Sequence, residues 1–242
     1  MSKSKLDFPT EIVELPSKGL IYPKDHPLRS GKVEMKYMTA KEEDILTNQN
    51  FIEKGIVLDK LMESLTLHKF DIKSIHTGDK NAIFIAARVL GYGSDYKFSY
   101  NDKEYEVDLS KIENKPFNAD DLTDEGYGIF EMPSNGAKVE FKHLLETDVD
   151  KIAKEVLGLS KLSKGSIPEI TTKLKYQIMS INGDTNKNEI RNYVDNFLLA
   201  RDSRSFRNHI KEIAPDVDLS FTTDDGKEIE IPITVNFFWP DL

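Results

Sequence analysis

The chain has 242 residues, of which 33 are basic and 42 acidic, for a formal net charge of −9. That balance argues against nucleic acid or an anionic membrane as a partner held by charge, because both need clustered Lys and Arg. With no cysteine there is no disulfide or thiolate metal site, and no apolar run reaches the roughly 20 residues of a membrane-spanning helix.

The opening Met1-Ser2-Lys3-Ser4-Lys5-Leu6-Asp7 lacks a signal-peptide apolar stretch, so a soluble protein of a reducing compartment is expected. Residues 1–30 read as an extended arm, marked by Leu15-Pro16-Ser17-Lys18-Gly19, Tyr22-Pro23 and His26-Pro27. Such an arm lies over its own domain or docks on a neighbouring subunit, with Leu15 and Tyr22 as its candidate contacts. Val33, Met35 and Tyr37 alternate with charged residues as a short strand. Thr39-Ala40-Lys41-Glu42 is a capping box, and it predicts a short helix through Leu46. Ile56, Leu58, Leu61, Met62 and Leu65 mark a second helix after Gly55. A third opens at Asp79, as its cap, and ends at Gly91. Tyr96, Phe98 and Tyr100, the turn Asn101-Asp102, then Tyr105, Val107 and Leu109 predict a hairpin.

The polar stretch 111–126 marks a boundary, giving an arm at 1–30, a first unit at 31–115 and a second at 116–242. Beyond it, Pro133-Ser134-Asn135-Gly136 turns a hairpin spanning 127–141. Val149, Ile152, Ala153 and Val156 predict a helix, 158–165 a loop, and Ile170, Leu174, Ile178 and Ile181 a further helix ending at Asn182-Gly183. Ile190, Val194, Leu198 and Leu199 form the next. Asp202 is the expected N-cap of the last helix, with Phe206, Ile210 and Ile213 on its apolar face and Pro215 ending it. A closing hairpin over 219–235 turns at Asp224-Asp225-Gly226, where Gly226 supplies a positive φ. Phe237, Phe238 and Trp239 follow, and either close their own core or dock in a partner.

The halves echo each other. Val33-Glu34-Met35-Lys36 parallels Val139-Glu140-Phe141-Lys142, and the hairpins share Tyr96-x-Phe98 with Leu219-x-Phe221 and Tyr105-x-Val107 with Ile229-x-Ile231. The fold class is therefore read as α+β, with two similar strand–helices–hairpin units and an N-terminal arm. Tandem duplication is one reading; the resemblance of any two alternating strands is the other.

Candidate chemistry is sparse. His26, His68, His76, His143 and His209 have no i,i+4 pair on one predicted helix, Asp216, Asp218, Asp224 and Asp225 lack the spacing of a calcium loop, and Gly91-Tyr92-Gly93 follows a helix instead of opening one. Adjacent Asp224 and Asp225 are poorly placed for paired acid–base work. Arg201, Arg204 and Arg207 share a helix face that could bind phosphate, but is read first as salt-bridging toward the abundant carboxylates. No catalytic residue, metal or cofactor is expected.

Certain residues resemble the T4-type bacteriophage baseplate protein family, tail-assembly proteins related to the hub protein of gene twenty-six. They are Leu15-Pro16-Ser17-Lys18-Gly19-Leu20-x-Tyr22, Met38-Thr39-Ala40-Lys41-Glu42-Glu43-Asp44-Ile45-Leu46, Gly78-Asp79 with Arg88, Asp202-Ser203-Arg204 with Arg207, 213–219, and Phe237-Phe238-Trp239-Pro240. The resemblance implies a structural or assembly protein of the baseplate hub, acting without catalysis on other phage hub and tail proteins. It further implies action in the host cytoplasm during assembly or in the virion tail, with self-association left open. Many relatives carry a Cys-x-x-Cys-Gly tip where this chain has Phe221-Thr222-Thr223-Asp224-Asp225-Gly226, so their zinc does not carry over. A nucleic-acid-binding module using the hairpins is the alternative.

Overall fold

The computed structural model describes residues 9–162 and 167–238. Thr10–Glu14 forms a strand, β1, antiparallel to β2 at Lys32–Lys36, with Val13 opposite Val33 and Glu11 opposite Met35. The described part of residues 1–30 is thus the first strand of the fold plus a folded connection, not an extended arm. Lys18 (φ 52°) and Gly19 (φ 76°) turn that connection back. A Cβ on Gly19 would stand 2.4 Å from the Arg29 carbonyl oxygen, so this close approach demands glycine. Leu15, Tyr22 and Leu28 on either side of the turn are buried.

Glu42 accepts from the Thr39 backbone N–H and hydroxyl at the start of α1 (Ala40–Leu46), the local arrangement expected from sequence. Asn48 caps α2 (Gln49–Glu53) through Phe51 N, a helix the apolar pattern did not reveal. In α3 (Val57–Leu65) the residues Val57, Leu61, Met62 and Leu65 are buried, as their spacing requires. Thr66 then bridges Met35, and Leu67 N donates to Glu34 O at 3.0 Å, so 66–67 lies along the free side of β2. After α4 (Thr77–Tyr92) come β3 (Asp95–Tyr100) and β4 (Lys103–Asp108). Asn101 (φ 50°) and Asp102 (φ 60°) both lie in the left-handed region, the conformation a two-residue hairpin turn needs.

In the second half β5 (Gly128–Glu131), β6 (Lys138–Phe141) and β7 (Ile178–Ile181) form an antiparallel sheet in that order. Helix α5 (Glu146–Leu162) runs through Gly158, where a loop was expected, and α6 (Glu169–Gln177) stops before Ile178. Residues 178–181 are strand, not helix. Ile178 and Ser180 are buried, and Ile181 lies opposite Val139. The spacing 170, 174, 178, 181 fits a helical face, but in the strand Ile178 alternates with Ser180 on the buried side and Ile181 falls on the other. Then come α7 (Lys187–Asn196), α8 (Ala200–Glu212), and the hairpin of β8 (Ser220–Thr222) and β9 (Glu228–Glu230). A 3-10 turn at Val235–Phe238 follows. The class is α+β.

Two cores result, and they do not follow the division into 1–30, 31–115 and 116–242. The second core gathers Met132, Val139, Phe141, Leu174, Ile190 and Phe206. The first takes Val33, Met35, Leu61, Ile83 and Phe98, but also Leu15 and Tyr22 from the N-terminal segment and Val217, Ile231, Phe237 and Phe238 from the end of the chain. The C-terminal hairpin lies on the N-terminal one, with Phe221 edge-on to Phe98 and Tyr105 at 5.3 and 5.5 Å.

Contacts recur between the halves. Lys36 Nζ meets Glu42 Oε1 at 2.7 Å, and Lys142 Nζ meets Asp148 Oδ1 at 2.7 Å. Thr39 N donates to Glu42 at 2.9 Å, and Leu145 N to Asp148 at 3.3 Å. Thr66 follows α3 to bridge Met35, as Ile178 follows α6 to pair with Phe141. The halves differ in α7, which intervenes between β7 and α8 where the first half has a 3-10 turn at Ile72–Ser74.

Candidate functional site

Asp79 stands at the third position of α4, whose N-cap is His76, with Nδ1 accepting from Gly78 N at 3.2 Å. It is therefore not the expected cap. Its buried carboxylate accepts from Ser17 N (2.9 Å), Ser17 Oγ (2.6 Å) and the Tyr22 hydroxyl (2.6 Å). Tyr22 Oη in turn accepts from His76 N at 2.9 Å. Burial pushes the Asp79 carboxyl above its ordinary range against the bonds from Ser17 and Tyr22, and pushes the Tyr22 phenol upward too, helped by Asp79.

Asp202 repeats this arrangement. It is the third residue of α8, behind an N-cap at Leu199, and its buried carboxylate accepts from Ser134 N at 3.2 Å and from the Ser134 hydroxyl. Both aspartates fasten a Pro-Ser-x-Gly turn of a strand connection to a helix start. Sequence shows a carboxylate at a helix start in either case; the serine partners lie too far along the chain to be seen.

At the other end of α4, buried Arg88 donates from Nε to Phe237 O (3.1 Å), from Nη1 to Gly93 O (2.9 Å) and from Nη2 to Asp95 O (3.2 Å). Its guanidinium also lies 5.3 Å from the Tyr92 ring centre. Phe237 packs on Tyr96 at 4.8 Å and Phe238 on Phe84 at 5.8 Å. Upstream, Asn81 Nδ2 donates to Asp216 Oδ1 at 3.1 Å, and Lys115 N to Asp216 O at 2.8 Å. One helix thus ties together both ends of the described chain.

Of the two readings of Leu15, Tyr22, Phe237 and Phe238, packing on their own domain or docking on a partner, these placements take the first and correct the second. All four are at most 1% exposed, spent on the chain's own core; Trp239 lies outside the described residues. Thr39 and Gly226 sit as expected. Gly226 has φ 77°, and the turn closes through Thr223 N to Lys227 O at 2.9 Å and Lys227 N to Thr223 Oγ1 at 3.2 Å.

The outward faces of the hairpins carry exposed Glu104, Glu106, Glu228 and Glu230, charges of the same sign as a phosphate backbone. Arg201, Arg204 and Arg207 do not form the expected salt-bridging face: none has a carboxylate within 4.0 Å among the described residues. No group of three His, Asp or Glu able to hold a metal occurs among them either. Sequence reading also missed the approach of His76 and His143, whose rings meet edge to face at 5.7 Å. Burial holds their pKa values down at about 4 and about 3, neighbouring His76 and His209 adding to the effect at His143. They come from different halves, so spacing gave no signal. No family model matches the chain, and neither does any curated protein or solved structure.

Proposed function

We propose that the chain is a structural or assembly protein of a bacteriophage tail baseplate hub, acting by protein–protein contact with other hub and tail proteins and without catalysis. One observation carries this reading. The residues that resemble the baseplate family converge on a buried fastening network: Ser17, Tyr22 and Asp79 at one end of α4, Arg88 and Phe237 at the other. Side chains used this way hold a rigid body together and leave its exterior for contact, which is what an assembly component requires. The place of action is the host cytoplasm during assembly. The test is co-expression of the tagged chain with the tail proteins of its phage. Co-purification with at least one of them in a defined ratio is expected; recovery of the chain alone by gel filtration removes the reading.

The same proposal takes the fold as a tandem duplication of a strand–helices–hairpin unit. The paired Ser17–Asp79 and Ser134–Asp202 bonds and the paired Lys36–Glu42 and Lys142–Asp148 bridges support it. An experimental structure lacking either member of those pairs would withdraw that support.

A further inference from the structure

We propose that the cleft where the start of α4 meets α6 and α8 binds an acidic peptide segment of a partner protein, a proposal that rests on the assembly reading above. The cleft has a volume of about 510 Å³, and none of the described residues lining it carries a carboxylate. In a chain whose carboxylates outnumber its cations, that is a local reversal of charge. Lys173 enters from α6, and Arg207 and Lys211 from α8. Arg207 and Lys211 are four residues apart, hence on one helix face. None of the three is within 4.0 Å of a carboxylate among the described residues. A larger cleft, of about 620 Å³ against α5 and α6, differs: there Lys142 is paired with Asp148 and Lys175 with Asp195.

A buried nitrogen also sits in the wall of this cleft. His143 lines the cleft and is only 5% exposed, yet its Nε2 is buried without a hydrogen-bond partner among the described residues. His143 also lines a neighbouring cleft beside Tyr22 and Asp148, so its nitrogen does not choose between the two, and the charge of the lining decides. Ile210 and half-exposed Val149 also line the cleft, beside the cations. A small oxyanion satisfies one cation and leaves those apolar groups bare. A segment bearing separated carboxylates with an apolar side chain between them meets both. The glutamate-bearing surface elsewhere repels a long polyanion, whereas a short segment meets only the cleft.

The probe is a fluorescein-labelled peptide of alternating Glu and Leu, titrated into the full chain and followed by anisotropy, beside a Gln–Leu peptide of equal length. Saturable binding of the first, with the second weaker by about tenfold, is expected. The exposed pair Lys173→Glu and Lys211→Glu together should weaken the first peptide by a further tenfold or so while the melting temperature holds. Equal binding of the two peptides, or equal binding by wild type and charge-reversed chain, overturns the proposal. So does displacement by stoichiometric inorganic phosphate, which marks a small-oxyanion site, or self-association abolished by the same pair, which makes the occupant a second copy. The assembly reading fails separately, when wild type recovers no tail protein; a charge-reversed chain that recovers them as wild type does sinks the cleft alone.

Discussion

Glu42 is a fully buried carboxylate whose pKa lies low. Burial pushes it up, but bonds from Lys36 Nζ (2.7 Å), Ser64 Oγ (2.6 Å) and the Thr39 hydroxyl (2.7 Å) and N–H (2.9 Å) outweigh burial and hold it at about 2. A carboxyl depressed in the folded state contributes stability that is complete above its unfolded value and lost as pH falls through the folded one. The window here runs from 4.5 down to about 2. The contribution is at most roughly 3 kcal/mol. Urea unfolding across that window should show the wild type losing stability as pH falls and Glu42→Gln losing markedly less; parallel curves would refute the assignment. The Thr39–Glu42 part of this network was legible because it spans three residues. Lys36 and Ser64 were not, since a sequence does not say which distant side chains a capping carboxylate will also meet.

At the scale of elements, α4 is the bar to which other segments are fastened, and Gly78 shows how tightly. A Cβ there would stand 2.0 Å from the Pro215 carbonyl oxygen and 2.7 Å from Asp216 Cα, so Gly78→Ala must push the C-terminal segment off the helix. A loss of about 2 kcal/mol or more is expected. Gly158, by contrast, is an exposed residue inside α5 with nothing near its added Cβ, and Gly158→Ala should stabilise by about 0.5–1 kcal/mol. Chemical denaturation of the two variants measures both, and equal effects would contradict the packing described. Sequence favoured the reverse intuition at Gly158, where glycine suggested a loop, because an isolated glycine reads alike in a helix and between helices. The hairpins were legible from alternation and turn residues, whereas β7 was hidden because Ile178 and Ile181 continue a helical spacing while its buried side pairs Ile178 with a serine, Ser180.

Across the whole molecule, the first core is closed by residues from both ends of the chain, and the boundary at 111–126 does not separate independent parts. Ending the chain after Asn236 removes Phe237 and Phe238, both fully buried. Emptying two such sites costs roughly 3–5 kcal/mol each, comparable with the whole stability of a typical domain. The truncated chain should lose cooperative thermal unfolding. A truncated chain that melts like wild type would show that the aromatic end is dispensable to the core. Local patterns foretold that Phe237 and Phe238 need burial, since adjacent exposed aromatics invite aggregation; which core they enter is a long-range fact that no local pattern encodes.

The position of Phe237 and Phe238 also bears on the order in which the molecule is made. Most of the first core leaves the ribosome early, but Val217, Ile231, Phe237 and Phe238, which complete it, are translated after the residues of the second core. A nascent chain therefore carries an unfinished core until Phe237 and Phe238 emerge, leaving Phe84 and Tyr96 without those partners. Among the described residues the second core draws on nothing beyond Ile213 and can close first. Vectorial synthesis thus runs counter to chain order here: the later half assembles, and the earlier half is sealed when Phe237 and Phe238 follow.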